Sequence, residues 1–398
     1  MAYRFGDCEL SGETRELRVA GVPRAVEPQV FDLISLLIAR RDRVVSQDEL
    51  VAAIWGGRIV SDSAISACVS AARAAIGDSG ARQDWIRTVP RRGFRFVGQV
   101  EDAGPEARPP SSAAPQPGAE RQRVSFCRSA DGTRIAYATS GSGPPLVKVG
   151  NWLTHLEHDW NSPIWRPLLA RLGAHFTITR YDQRGNGLSD WDIADFGLER
   201  FVEDLEAVVA ASAPGRCALY GTSQGAPIAI AYACRHPEAV SHLILQGGYA
   251  QGRLVRGDEA ERAKGEAILT LIRHGWGQRN SPFIDAFAAM FIPDGSREQI
   301  NSLVDLQRQT TSPENAALLR QAVDLFDVSD LLPQLRVPTL VIHARDDGVQ
   351  PLDQGRELAS RIPGARFVLL ESRNHVILPH EKAWPVLFDE MIEFIRDT

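Results

Sequence analysis

The sequence predicts an α/β domain with a doubly wound sheet over residues 123–398, preceded by a small domain of strands and three helices over residues 1–100. Three observations carry this expectation. β-like and helical stretches alternate through the C-terminal part of the chain. A Pro- and Ala-rich stretch, Glu101–Gln122 (EDAGPEARPPSSAAPQPGAERQ), divides the chain. It has no apolar periodicity to bury, and its prolines favour extended backbone, so it reads as a linker. Ahead of it, short strands, amphipathic helices and a closing hairpin follow one another.

Bulk composition narrows the function classes. A chain of 398 residues has room for two or three domains, and 44% hydrophobic with 24% charged residues is ordinary for a globular protein. The net charge of −6 offers no chain-wide basic field, although the first hundred residues lean positive. No apolar run approaches the roughly 18 residues of a membrane span, and Met1–Asp7 lacks an apolar leader. No membrane partner is expected, and the expected compartment is the cytoplasm. Cys8, Cys68, Cys127, Cys217 and Cys234 are odd in number and lack a CxxC pair, which suits free thiols. With no metal-ligand spacing, dinucleotide-binding glycine motif or P-loop, neither a metal nor a cofactor is implied.

In the N-terminal domain, Tyr3–Phe5, Cys8–Leu10 and Glu16–Val19 read as strands separated by turns. Val30, Leu33, Ile34 and Leu37 repeat at helical spacing. Ser46 and Glu49 stand at capping-box spacing ahead of a second helix that runs to about Trp55. A third helix fits Asp62–Ile76, with Gly77 as its stop. Trp85–Thr88 and Phe94–Val97 flank Pro90-Arg91-Arg92-Gly93, a hairpin with a basic tip.

The stretches EPQVFDLISLLIARRDRVVSQDELVAAIWGGRIVSDSAIS and IRTVPRRGFRFVG resemble the OmpR/PhoB-type winged-helix DNA-binding domain, over residues 3 to 99. The resemblance implies DNA as a partner, with the third helix in the major groove and the wing on the backbone or minor groove. Carried over by position, the helix face comprises Ser63, Ser66, Ser70 and Arg73, and the wing presents Arg91 and Arg92. Arg on a hairpin tip reaches phosphates, and small hydroxyl side chains allow close approach. This helix (SAISACVSAARAA) departs from base-reading chemistry, with few Arg or amide side chains. No receiver domain is recognisable, which makes the second domain the natural switch. Winged helices of this type often bind paired half-sites, so a homodimer fits, although no segment marks its interface.

In the second domain, strand candidates are 123–128, 133–139, 146–149, 176–181, 217–220, 242–246, 339–343 and 366–370. Gly221-Thr222-Ser223-Gln224-Gly225 lies between the strand CALY and the helix QGAPIAIAYACR. A nucleophile on so tight a turn needs minimal side chains two positions away on either side. Ser223 is the candidate nucleophile, and the Gln224 N–H lies where an oxyanion would form. A serine hydroxyl needs a base, and the base needs an orienting acid.

The motif in this context resembles the α/β-hydrolase family, which implies the chain order Ser, Asp, His. PTLVIHARDDGVQP ends a strand in Asp346-Asp347, and FVLLESRNHVI ends another in His375. Family spacing before Gly348-Val349-Gln350-Pro351 favours Asp347, with Asp346 as the alternative acid. His375 is the candidate base. His380 is the alternative, His343 reads as a core histidine, and His175, His236, His242 and His274 have no triad placement. The resemblance also implies a second oxyanion N–H after the third strand, where Val149-Gly150-Asn151-Trp152 replaces the family's His-Gly; Asn151 is the first choice and Trp152 the second. Tyr181–Ser189 matches the family's D-x-R-G-x-G-x-S loop, which reads as architectural, with Arg184 pairing locally.

The helical insertion from Gly248 to about Leu332 implies a cap, whose Phe283, Phe287, Met290 and Phe291 could join Trp152 and Trp160 around an apolar cavity or form the cap's own core. Three readings follow. The first is a transcription regulator whose hydrolase domain binds or cleaves a small apolar or ester-like effector. The second is a serine hydrolase with an accessory winged helix. The third is a hydrolase-fold receptor without turnover.

Overall fold

A computed structural model describes the chain except for residues 1, 12–15, 20, 25, 27, 56–61, 81, 90–91, 104–121, 214, 258, 277–281 and 397–398. Backbone contacts divide the chain into two units, Met1–Pro117 and Gly118–Thr398. Arg91 and most of the expected linker lie outside the described residues.

In the first unit, Ala2–Phe5 (β1), Cys8–Ser11 (β2), Glu16–Val19 (β3) and Val22–Arg24 (β4) form an antiparallel meander. Three helices follow, Pro28–Ala39 (α1), Gln47–Trp55 (α2) and Asp62–Ala75 (α3). Leu33, Ile34 and Leu37 of α1 pack with Leu50 of α2, Ile65 and Val69 of α3, and Phe96. The Ser46 hydroxyl accepts from the Glu49 N–H at 3.1 Å, which is half of the expected capping box; the Glu49 carboxylate is engaged by Arg43 at 2.7 Å. Gly77 takes φ +72°, as a helix stop requires.

Ile86–Val89 (β5) and Gly93–Phe96 (β6) make the hairpin, and Phe94 exchanges two backbone hydrogen bonds with Val45 at 2.8 and 2.9 Å. A Cβ on Gly93 would stand 2.0 Å from the Val45 carbonyl oxygen, and its φ of +127° also demands glycine. Glu101–Ala103 (β7), assigned to the linker by composition, pairs instead with β1 at the edge of the sheet β4-β3-β2-β1-β7.

The second unit carries Arg123–Arg128 (β8), Arg134–Gly141 (β9), Pro145–Lys148 (β10), Leu156–Asn161 (α4), Trp165–Gly173 (α5), Thr177–Tyr181 (β11), Leu198–Ser212 (α6), Cys217–Thr222 (β12), Gly225–Arg235 (α7) and Val240–Gln246 (β13). Five helices then interrupt the sheet, Arg253–Arg256 (α8), Glu259–Gly275 (α9), Pro282–Phe291 (α10), Arg297–Thr310 (α11) and Pro313–Val323 (α12). Thr339–Ala344 (β14), Leu352–Arg361 (α13), Arg366–Leu370 (β15) and Ala383–Arg396 (α14) complete it.

The sheet has eight strands in the order β15-β14-β13-β12-β10-β11-β9-β8, with β9 antiparallel to its neighbours and β10 to β15 parallel. Central strands are apolar on both faces, as in Leu243–Leu245 and Leu340–Ile342, because helices cover both sides. The winding order reverses between β10 and β12, with β11 added on one side of β10 and β12 on the other, the place where open α/β sheets form a crevice at their carboxyl ends.

The loop after β11 holds this edge together. Buried Arg184 forms two bonds to Asp204, at 2.8 and 2.7 Å, and reaches Asp131 at 2.8 Å. Among the described residues no helix is long and apolar enough to cross a membrane, and no cysteine pair is disulfide-bonded.

Candidate active site

Ser223 sits between β12 and α7 with φ +52°, a left-handed conformation that a non-glycine residue holds only when its surroundings enforce it. Those surroundings are explicit. A Cβ on Gly221 would lie 2.7 Å from the Gly225 carbonyl oxygen, and one on Gly225 would lie 3.0 Å from that of Gly150. The Ser223 N–H donates to Gln246 O at 2.9 Å, tying the turn to β13.

Asp347 follows β14 and His375 follows β15. His375 Nδ1 and Asp347 Oδ2 are 2.7 Å apart, and Asp347 Oδ1 accepts the N–H groups of Val349 and Gln350 at 2.8 and 2.9 Å. Burial pushes the Asp347 carboxyl up, but His375 and the two N–H donors outweigh it and hold the group below the ordinary carboxylate range. Gly247, at φ +56°, leaves room for this pair, since a Cβ there would be 3.0 Å from His375 Cε1. The His375 backbone N–H donates to Phe291 O at 2.9 Å, linking the candidate base to the cap.

Asp346 and His380, the alternatives, are solvent-exposed. His343 is buried in β14 with Nε2 3.0 Å from Gln350 O, and burial lowers its pKa, as a core histidine requires.

Gln224 caps the N-terminus of α7, and Asn151 and Trp152 follow β10 across the reversal. Gln183 bridges the two loops. Its Nε2 donates to Asn151 O at 2.9 Å, and its Oε1 accepts from Gln224 Nε2 at 2.9 Å. Buried Lys148 donates from Nζ to Asn151 Oδ1 at 2.6 Å, and burial pulls its pKa down to about 8.

Ser223, His375, Asn151 and Trp152 line one cavity with Tyr220, Thr222, Gln246 and, from α11 of the cap, Leu303, Leu306 and Gln307. Among the described residues no Asp, Glu, Lys or Arg lines it. Of the aromatics named from the sequence, Phe291 and Trp152 line the cavity. Phe287 packs behind both, at 5.4 and 6.1 Å, and Phe283 stacks on Phe287. Met290 is exposed, and Trp160 lies under the Arg166 guanidinium at 4.0 Å. Trp165, Leu168 and Leu387 were missed, because spacing in an amphipathic helix does not say which side of a buried ring meets a cavity. Tyr220 and Gln246, which are hydrogen-bonded, had a signal: each closes a strand expected from the sequence, 217–220 and 242–246, beside the Ser223 turn.

In the first unit, Ser66 and Ser70 are exposed on α3, and Arg92 is exposed on the hairpin turn; Ser63 lies in the first turn of α3. Arg73 corrects the expected reading face. It is 8% exposed, and its guanidinium is spent on Ile86 O, at 3.0 and 2.7 Å, and on Thr88 Oγ1 at 2.9 Å. Placed one turn beyond Ser70, it points at β5 rather than outward.

An eight-stranded α/β sheet with a serine on a strained strand–helix turn and a His–Asp pair at the same edge defines a hydrolase-type fold. The chain belongs to the α/β-hydrolase family, whose model, described as alpha/beta hydrolase fold, matches residues 153–381. Residues 21–96 match the model described as transcriptional regulatory protein, C terminal, so the first unit is a winged helix of OmpR/PhoB type.

Curated relatives include a pimeloyl-acyl-carrier-protein methyl ester esterase of Nitrosomonas europaea, 28% identical over 61% of this chain and 92% of that protein. Another is a putative carbamate hydrolase of Rhizobium rhizogenes, 26% identical over 54% of this chain and 80% of that protein. Among solved structures, an esterase from Exiguobacterium antarcticum superposes with a TM-score of 0.58 at 21% identity, over 69% of this chain and all (100%) of that one.

Proposed function

We propose that this protein is a DNA-binding transcription regulator whose hydrolase domain binds and cleaves a small, neutral ester or related acyl compound, and that occupancy or turnover alters DNA binding. The observation that carries the reading is the pairing of Asp347 at 2.7 Å with His375, which lines the same mainly apolar cavity as Ser223, on a chain that also holds a winged helix. The esterases among its relatives support the hydrolytic part. DNA is the macromolecular partner, which places the protein in the cytoplasm, and paired half-sites favour a homodimer.

In this mechanism Ser223 Oγ attacks the acyl carbon while His375 Nε2 takes its proton. The N–H groups of Gln224 and of Asn151 or Trp152 stabilise the oxyanion. The leaving alcohol departs with the proton from His375. Water, deprotonated by the same imidazole, then releases the acid and restores the serine. Asp347 holds the imidazole in its tautomer throughout. Ser66 and Ser70, with Ser63, form the helix face toward DNA, and Arg91 and Arg92 reach phosphates.

Fluorophosphonate labelling tests the catalytic part: the wild type labels and Ser223→Ala does not. Binding to DNA upstream of its own operon, measured with and without ester, tests the regulatory part. A wild type that is not labelled reduces the domain to a receptor, and DNA binding no better than that of Arg91→Ala/Arg92→Ala removes the regulator reading.

A further inference from the structure

On its cap side the cavity is lined by a buried side chain with an unspent acceptor. Gln307 lines it from α11, is 3% exposed, and its Oε1 meets no donor among the described residues. The helix that carries it is firmly placed. Ser296 and Gln299 form a capping box at its start, with both bonds made, at 2.9 and 3.2 Å. The Ser302 and Ser162 hydroxyls meet at 3.1 Å, and Thr310 O accepts the Gly187 N–H at 2.7 Å. Gln307 is therefore held on the wall by its helix, and no bond of its own Oε1 explains its burial.

Other polar atoms of the lining are committed or of different character. Asn151 Oδ1 takes the Lys148 ammonium, and Tyr220 OH donates to Gln246 Oε1. Among unpartnered lining atoms of the described residues, Trp152 Nε1 and Trp165 Nε1 are donors, Thr222 Oγ1 serves either way, and Gln307 Oε1 is an acceptor only. A buried amide oxygen without a donor is costly, and a ligand that supplies the donor recovers that cost. Among the described residues the cavity offers an ionised ligand no Asp, Glu, Lys or Arg countercharge, which favours a neutral ligand.

We infer that Gln307 is a specificity determinant that accepts a hydrogen bond from the ligand, so that the preferred ligand is a neutral, mainly apolar acyl compound bearing an O–H or N–H donor apart from its carbonyl. This deepens the proposed function; it rests on that ligand site and not on its catalysis. Gln307 and Ser223 belong to different walls of the cavity, the cap and the sheet edge, so the donor and the carbonyl lie on separate parts of the ligand.

The test is calorimetric binding to the full-length Ser223→Ala protein, which cannot turn over. The ligands are methyl esters from butanoate to octanoate, each with a methyl, ω-hydroxyl or ω-methoxy end. The ω-hydroxyl ester at the fitting length binds tighter than both counterparts by about five- to a hundredfold, and Gln307→Met in the same background abolishes the preference. Equal affinities at every length, or a preference that survives Gln307→Met, overturn the assignment. A cooperative thermal melt of Gln307→Met shows the fold intact, and fluorophosphonate labelling of wild type reports the nucleophile. If wild type itself is not labelled, the catalytic proposal fails, while the affinity ratios still decide Gln307.

Discussion

Lys148 Nζ lies 2.6 Å from Asn151 Oδ1, so a buried ammonium at the end of β10 holds the loop that carries a proposed oxyanion donor. The same nitrogen sits 5.2 Å over the Trp165 ring, which also lines the cavity. Lys148→Met removes the anchor while keeping the volume. The expected result is a fall in kcat of about ten- to a hundredfold with little change in KM, since the loop N–H acts on the transition state more than on bound substrate. Ester hydrolysis kinetics check this, and an equal rise in KM with unchanged kcat contradicts it.

The same lysine gives a pH signature. Burial lowers its folded pKa to about 8, below the ordinary lysine value of 10.5, so between these values the folded chain has lost a proton that the unfolded chain keeps. Stability from this group therefore rises with pH across that window, and its penalty is complete below it. The free-energy gap between Lys148→Met and wild type is expected to shift by about 3 kcal/mol between neutral pH and pH 10.5, with the variant relatively better off at neutral pH. Denaturant titrations at the two pH values measure it.

Asp347→Asn is expected to lower kcat by about a thousand- to ten-thousandfold, because Asn donates to His375 Nδ1 and imposes the wrong tautomer. Asp346→Asn changes kcat less than about twofold, since an exposed carboxylate outside the cavity orients nothing. The folded Asp347 pKa lies below the ordinary aspartate value of 3.8, so its stabilisation is present at neutral pH and is lost only as pH falls through that lowered value. An acid limb of activity near neutrality therefore cannot belong to Asp347. Equal losses in the two variants contradict the choice of acid.

Gly247 tests how closely the His–Asp pair is packed. Gly247→Ala puts a methyl group 3.0 Å from His375 Cε1 and 3.4 Å from Asp347 Oδ2, at a φ of +56°. Backbone strain of about 1 kcal/mol lowers Tm by a few degrees, whereas displacement of the imidazole lowers kcat by more than about tenfold. Thermal melting and initial rates separate the two effects.

These cases also mark how far sequence reading reached. All eight strands of the larger sheet were legible, because apolar runs such as Leu340–Ile342 and the glycine pair around Ser223 carry their structural reason in their residue types. β4 was not, since three residues with a central proline look like a turn; nor was β7, whose composition is that of the linker it opens. Lys148 and Gln307 were invisible for another reason. A polar residue in a strand or on a cap helix looks solvated until its neighbours are known, and those neighbours come from distant segments, Asn151 and Trp165 for one, the Ser223 cavity for the other.

Arg73 and Arg92 divide the winged helix into a structural arginine and a proposed DNA-binding arginine. Arg73 is buried with three hydrogen bonds to β5, and Asp78 nearby accepts the N–H groups of Trp85 and Ile86 at 3.0 Å each. Arg73→Ala strips Ile86 O of its donors inside the core and is expected to destabilise the first unit by about 2–4 kcal/mol. Arg92 is exposed on the hairpin turn, so Arg92→Ala leaves stability within about 0.5 kcal/mol of wild type. Its loss weakens DNA affinity across sequences and reduces the slope of log affinity against log salt by about one. Unfolding curves with DNA titrations at several salt concentrations read both quantities. A destabilising Arg92→Ala, or an Arg73→Ala that lowers only the salt slope, reverses the two roles and returns Arg73 to the DNA face.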